Sequence, residues 1–263
     1  MDTVEQLLEE LADLGSVLVA FSGGADSAFL LAAATRALGT VHVVAATAVS
    51  PSLAQAELPA AQAFAASLGV RHLTPETREL DRPGYVANGT DRCFHCKATL
   101  IDTLRPLAAD LGLAHVATGT NADDLVAGFR PGIQAAAERG AVTPLRGMTK
   151  QQIREASAAW GLVTADKPAL ACLSSRIAYG LEVTPQRLSR VDRAETALRA
   201  LLVPRDVRVR VLADDRARVE LDPEALARWD ASALSAVRGE GFGAVEVREF
   251  RSGSMNDGVP ADA

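Results

Sequence analysis

Positive charge is scarce in this chain: 27 Lys and Arg stand against 33 Asp and Glu, a formal net charge of −6. There is no block of roughly five or six like charges either. A protein whose main ligand is a long phosphate backbone leaves a basic footprint. Nucleic acid is therefore not the expected partner, although a small anion needs only a local cluster. No stretch approaches the roughly 18 consecutive apolar residues of a membrane span. The first residues, Met1 to Gln6, are acidic and lack the basic start of a secretion signal. No membrane association and a cytoplasmic location are expected. Aromatic residues make up only 4%, so Ala, Leu and Val must fill the core. Cysteines number three, which a reducing compartment leaves unpaired and available for metal ligation or thiol chemistry.

The 263 residues are 48% hydrophobic and 23% charged, enough for one large α/β domain with a small companion. Apolar residues at helical spacing predict a helix over 3–14, closed by Gly15. Residues 17–21 form a short, wholly apolar run suited to a buried parallel strand. Similar logic predicts strands over 41–48, 70–74 and 114–118, with helices over 27–38, 53–68 and 95–110. Strands alternating with helices imply a parallel sheet covered on both faces. The tail reads differently. Thr184–Pro185 suits a helix N-cap and first turn, running to about Leu202. Residues 207–212 and 217–221 predict a hairpin, Asp222–Pro223 opens another helix, and 244–250 is a last strand. These elements predict a parallel-sheet α/β domain over 1–181 and a small α+β domain over 182–251. Residues 252–263, small and polar, are expected to be disordered.

The first strand runs into Ser22–Gly23–Gly24–Ala25–Asp26–Ser27. A buried strand, a Ser/Gly-rich turn and a helix start form a device for holding phosphates. Gly23 and Gly24 allow unusual dihedrals and close backbone approach. Unpaired N–H groups at the helix start point at the anion, and the helix dipole supports them. Ser22 and Ser27 add hydroxyls, and Asp26 suits Mg²⁺. The plain alternative is an ordinary strand–helix turn, but the whole string sits where an α/β fold has its ligand crevice. It is neither a Walker A loop, since no Gly-Lys-Ser/Thr follows, nor a dinucleotide fingerprint.

Gly119–Thr120–Asn121–Ala122–Asp123–Asp124 follows the fourth predicted strand, again at the ligand edge. Asp123 and Asp124 suit Mg²⁺ or a ribose, and Thr120 and Asn121 supply neutral hydrogen bonds; the alternative is a capped turn. Cys93–Phe94–His95–Cys96 is a Cys-x-x-Cys at a helix entry. By itself it fits a zinc half-site, a redox pair or an iron–sulfur half-site. The remaining cysteine, Cys172, precedes Leu173–Ser174–Ser175–Arg176, and most free cysteines are small buried residues. Arg208 and Arg210 share one face of the predicted hairpin strand, where the alternative is a solvated surface.

The first loop resembles those of the PP-loop ATP pyrophosphatases. That resemblance implies cleavage of ATP between its α and β phosphates with Mg²⁺, leaving AMP on a substrate oxygen. It also implies that the strand-two residues Ala46 and Thr47 meet the adenine. Taken with Asp91 to Lys97, Gly119 to Arg130, Asp166–Lys167–Pro168, the segment from Cys172 to Gly180, Thr184–Pro185 and Ala194–Glu195, the chain resembles the LarE family of ATP-dependent sulfur transferases. The resemblance covers most of the chain. It implies a pyridinium-3,5-biscarboxylic acid mononucleotide substrate, whose carboxylates are adenylylated and converted to thiocarboxylates for the nickel-pincer cofactor of lactate racemase. The nucleotide site would then comprise Ser22, Gly23, Gly24, Asp26, Ser27, Ala46, Thr47, Gly119, Thr120, Asn121 and Asp124. The substrate pocket would comprise Lys167, Ser175, Arg176, Glu195, Arg208 and Arg210. In some members the cysteine at the position of Cys172 surrenders its own sulfur; in others it joins a Cys-x-x-Cys in holding a [4Fe-4S] cluster. This chain has the Cys-x-x-Cys, so the resemblance implies a cluster held by Cys93, Cys96 and Cys172. A homo-oligomer is expected on the same ground.

Three rival readings carry different signatures. A PP-loop tRNA thiolase calls for a basic surface or an RNA-binding domain. An ammonia-using synthetase needs no cysteine trio. A non-catalytic nucleotide-binding module would release no pyrophosphate.

Overall fold

Four short apolar segments become strands of one parallel sheet in the computed structural model, which describes residues 3–126, 128, 130–168 and 171–251. They are β1 (Val17–Ala20), β2 (Val43–Ala46), β3 (Arg71–Leu73) and β4 (His115–Ala117), in the spatial order β3-β2-β1-β4. Val17 to Val19 and Val43 to Ala46 are buried, as continuous apolar runs in a two-sided sheet should be. The expected α/β class with a parallel sheet is what the chain adopts. Because β1 is central and the order reverses beside it, the loops after β1 and β4 open at neighbouring points of one sheet edge.

The helix after β1 runs Ala25–Leu38 and buries Phe29, Leu30 and Leu31. These side chains share a core with Val17, Val19 and Phe21, with Leu7 and Leu11 of the Thr3–Asp13 helix, and with Ile153. A second cluster joins Leu18 and Val116 to Ile101 and Leu104 of the long Arg92–Asp110 helix.

Several boundaries differ from the sequence reading. β2 starts at Val43, not at residue 41, because its partner β1 offers only four in-register residues, Val17↔Val43 to Ala20↔Ala46. Residues Thr40–His42 form a single 3-10 turn that leaves Val41 85% exposed. The third helix starts at Glu57, not at residue 53. The Arg92–Asp110 helix begins three residues earlier than expected and so takes Cys93 and Cys96 into its first turns.

The tail forms its own sheet from β5 (Val207–Val211), β6 (Ala217–Leu221) and β7 (Val245–Glu249). β5 and β6 make the expected antiparallel hairpin, and β7 adds in parallel to β6. Thr184 caps the Pro185–Leu202 helix by accepting from Arg187 N–H, and Asp222 caps the next helix by accepting from Ala225 N–H. Two compact units result. One comprises Met1–Ser50, Ala56–Glu79 and Cys93–Leu170; the other comprises Pro51–Gln55, Leu80–Arg92 and Ala171–Ala263. The tail expected to be disordered, 252–263, lies outside the described residues. Among the described residues, no helix is long and apolar enough to cross a membrane.

Candidate functional site

The loop after β1 is built from backbone and hydroxyls. Gly23 has φ of +74°, a left-handed conformation that glycine adopts at little cost. Gly24 is the N-cap of the Ala25–Leu38 helix and offers no side-chain cap, so the helix's leading N–H groups are left for a ligand or water. Ser27 closes the loop on itself: its hydroxyl accepts from Ser22 N–H (3.3 Å), lies 3.1 Å from Ser22 Oγ and donates to the Gly24 carbonyl.

The loop after β4 meets this one directly. A Cβ on Gly119 would lie 3.1 Å from Ser27 N and 3.3 Å from the Asp26 carbonyl carbon, so a larger residue would need the loops to give by a few tenths of an ångström. Asn121 is wholly buried and donates its amide to Asp26 Oδ2 at 3.1 Å. Its side-chain oxygen accepts from Asp124 N–H (3.0 Å). Asp124 in turn pairs with Lys150 Nζ at 3.1 Å, and Asp123 accepts from Lys150 N–H at 2.8 Å. Burial pushes the Asp26 carboxyl above its usual range; the charge of Lys150 opposes this, and Asp124 adds to it. Thr120 contributes a hydroxyl 3.3 Å from that of Thr118.

Of three other expected residues, Ala46, Thr47 and Lys167, the last two bond the loop or the residue before it. Ala46 and Thr47 are buried. The Thr47 hydroxyl donates to the Phe21 carbonyl (2.7 Å) and lies 2.8 Å from His72 Nε2, which fixes the end of β1 just before Ser22. Lys167, expected with the substrate, donates to the Gly23 carbonyl (3.0 Å) and to Glu57 Oε2 (2.9 Å), all within the unit that holds the loop after β1, called the nucleotide-loop unit for the sequence expectation. Arg154 holds that lysine's strand of chain by donating to the carbonyls of Ala165 and Lys167. Sequence reasoning missed Lys150, Glu57 and Arg154. The string Thr149–Lys150–Gln151–Gln152 does carry a capping-box signature, which the structure forms, but nothing in it names the carboxylates that Lys150 meets.

The second unit concentrates charge. Glu195 is 1% exposed and accepts from Arg176 Nε (2.9 Å), Arg176 Nη2 (3.3 Å), Arg199 Nη2 (3.2 Å) and Val209 N–H (3.0 Å). Burial by itself would raise its carboxyl, but the Arg176 charge and hydrogen bonds outweigh that and hold it below the usual range. Arg176 also donates to the carbonyls of Ala171 and Cys172 and to Ser175 Oγ. Ser175 Oγ itself donates to the Cys172 carbonyl at 2.7 Å. Arg210 forks onto Glu220 Oε2 (3.0 and 2.9 Å) and donates to the Ser175 carbonyl. Arg208 stands opposite Glu220 in the hairpin register. Burial, with the neighbouring charge of Arg176, lowers its pKa to about 10. Arg208 and Arg210 are both buried, so neither belongs to a solvated face. Glu220, Arg199 and Arg248 were not foreseen; Arg248 reaches Glu220 Oε1 from β7.

All three cysteines are free, with Cys93 and Cys172 exposed and Cys96 partly so. As accessible thiols they suit a thiolate-ligated group. Cys93 and Cys96 stand three residues apart in the nucleotide-loop unit and Cys172 belongs to the other. Among the described residues, no three His, Cys, Asp or Glu side chains are gathered as a metal-ion set.

A 3-2-1-4 parallel sheet whose central strand opens through Ser-Gly-Gly-Ala-Asp-Ser into a helix defines an α/β protein of the PP-loop kind. No family model matches the chain. An uncharacterised protein of Synechocystis sp. is 43% identical over 262 residues, spanning 96% of each chain. The pyridinium-3,5-bisthiocarboxylic acid mononucleotide synthase of Lactiplantibacillus plantarum is 34% identical over 260 residues, spanning 95% of this chain and 92% of its own. The chain belongs to the family of that synthase, the LarE family.

Proposed function

We propose that this chain is an ATP-dependent sulfur transferase, acting on pyridinium-3,5-biscarboxylic acid mononucleotide in nickel-pincer cofactor synthesis. The observation that carries the nucleotide half is the Asn121–Asp26 bond, which joins the loops after β1 and β4 around an uncapped helix start. The substrate and the sulfur chemistry rest on kinship with the Lactiplantibacillus plantarum synthase.

A carboxylate is a poor electrophile because its oxygen leaves badly. In the proposed first step a ring carboxylate oxygen attacks the α-phosphorus of ATP, forming an acyl adenylate and expelling pyrophosphate. A sulfur nucleophile then attacks the acyl carbon, and AMP carries off the oxygen. Ser22, Gly23, Gly24 and Ser27 hold the phosphates, and Asp26 with Asp124 carries Mg²⁺. Arg176, Arg208 and Arg210 draw the substrate's anionic groups, with Glu195 holding Arg176 in place. Cys93, Cys96 and Cys172 would hold a [4Fe-4S] cluster, which when bound supplies a replaceable sulfide. The second reading, in which Cys172 gives up its own sulfur, is kept because its thiol is free and exposed.

Pyrophosphate release and thiocarboxylate formation from the dicarboxylate nucleotide test the proposal together. Asp26→Ala is expected to cut pyrophosphate release by about 10²–10³-fold, the scale of losing one electrostatic stabiliser. Wild-type protein that releases no pyrophosphate would sink the assignment. Anaerobic iron and sulfide quantitation, with intact mass after turnover, separates the two sulfur sources: a sacrificial Cys172 leaves the chain about 34 Da lighter through loss of H₂S.

A further inference from the structure

Residues 172–181 carry Cys172 but contain only one 3-10 turn, Leu173–Arg176, and an isolated bridge from Ile177 to Val211. Ser175 and Arg176 tie down the Cys172 carbonyl from within the segment, but its remaining polar groups must find partners elsewhere. Within the second unit Ser52, Val211 and Arg210 supply some of those partners, and Leu80–Arg92 supplies a further set. Asn88, wholly buried at φ of 55°, donates its amide to the carbonyls of Ala178 (2.8 Å), Leu181 (2.8 Å) and Ile177 (3.3 Å). Its own carbonyl accepts from Gly180 N–H, and Val86 accepts from Val183 N–H. Arg92, 5% exposed, donates Nη1 to Asn88 Oδ1 and to the Ser174 carbonyl at 2.9 Å. The hydroxyls of Tyr85 and Ser174 are bonded to each other.

We propose that Arg92 is a positioning residue for Cys172, the hub of a clasp formed by Leu80–Arg92 that holds the cysteine-bearing turn at fixed geometry. One guanidinium nitrogen grips the turn two residues beyond Cys172 and the asparagine that binds the rest of the segment. Cys93 is the next residue in the chain, about 3.8 Å away Cα to Cα. An exposed thiol on irregular chain needs such support, since a supporting shell loose by about 1 Å leaves a site present but unproductive. The inference rests on the reading of Cys172 as a sulfur-handling residue.

Arg92→Met, Arg92→Lys and Asn88→Gly in the full chain test it; glycine keeps the left-handed backbone at position 88 without strain. In Arg92→Met, amide hydrogen exchange is expected to quicken over 173–183 while the Ala25–Leu38 helix keeps its protection. Thiocarboxylate kcat should fall about 10²-fold, the scale of a small misplacement. Pyrophosphate release and the KM for ATP should stay at wild-type values, and Arg92→Lys should recover part of the transfer rate. Asn88→Gly should reproduce the pattern if Arg92→Met fails to fold. A folded Arg92→Met with wild-type transfer overturns the proposal, as does a parallel fall of transfer and pyrophosphate release. Should wild-type protein make no thiocarboxylate at all, the proposed function fails by itself. Exchange over 173–183 and the alkylation rate of Cys172 still judge the clasp, and if Arg92→Met leaves both unchanged the clasp is refuted.

Discussion

In the nucleotide-loop unit the candidate chemistry sits on glycine, serine and backbone N–H groups, whereas in the Cys172 unit it sits on guanidinium and carboxylate groups driven beneath the surface. The first arrangement buries little charge and depends on shape: a Cβ at Gly119 would sit 3.1 Å from Ser27 N, tighter than an ordinary contact. The second depends on compensation. Glu195 and Glu220 are almost wholly buried and are surrounded by Arg176, Arg199, Arg210 and Arg248. Desolvating such groups is costly, so each carboxylate matters more for what its absence would leave unpaired than for any net attraction.

The sharpest way to break this contrast is Glu195→Ala, which strands Arg176 in a buried position. It should cost about 3–5 kcal/mol, read by denaturant unfolding, and Glu195→Gln should cost less. The same residue sets a pH signature. Its carboxyl is held below the usual range in the folded protein. The stability it contributes is therefore fully present above the ordinary glutamate pKa and lost as pH falls through the depressed folded value. Acid unfolding of Glu195→Gln should lack that component; an unchanged acid profile would argue that Glu195 is not the keystone.

A smaller effect belongs to the loop side. Gly119→Ala should cost about 1–3 kcal/mol, as overpacking against backbone does, and should weaken ATP binding measured by calorimetry. Wild-type affinity would show that the loops after β1 and β4 need not touch. Smallest of all is Lys150→Met. The Lys150–Asp124 pair is half-exposed on its lysine side, and such pairs are worth roughly 0.2–1 kcal/mol. A thermal midpoint displaced well beyond that range would place Lys150 with the buried network rather than with the loops.

Much of the fold was legible because its signals are local. The apolar runs at residues 17–21 and 43–46, the glycines that close helices, and the caps at Thr184 and Asp222 all act over a few residues. Val41 misleads for the same reason: its side chain suits a strand, but β1 has no residue left to pair with it. Among the site residues, the shared face of Arg208 and Arg210 follows from period-two spacing, yet their burial does not, since it depends on β6, where Glu220 pairs with Arg210 and is itself met by Arg248 of β7. Lys167 illustrates the limit further. The resemblance sets it with the substrate, and no local pattern foretells that its ammonium donates to the Gly23 carbonyl, 144 residues away along the chain.

The chain's order of residues alone determined where the glycine turn between the first strand and its helix forms, because Gly23 can adopt a left-handed backbone there at little cost. It also determined where β1 and β2 lie, through their continuous apolar runs. Only the folded arrangement decided that Asn121 meets Asp26, that Glu195 neutralises Arg176, and that Arg92 grips the turn after Cys172. Those pairings join residues 95, 19 and 82 positions apart. Their geometry comes from how sheets and helices pack, and no local pattern of side chains encodes it.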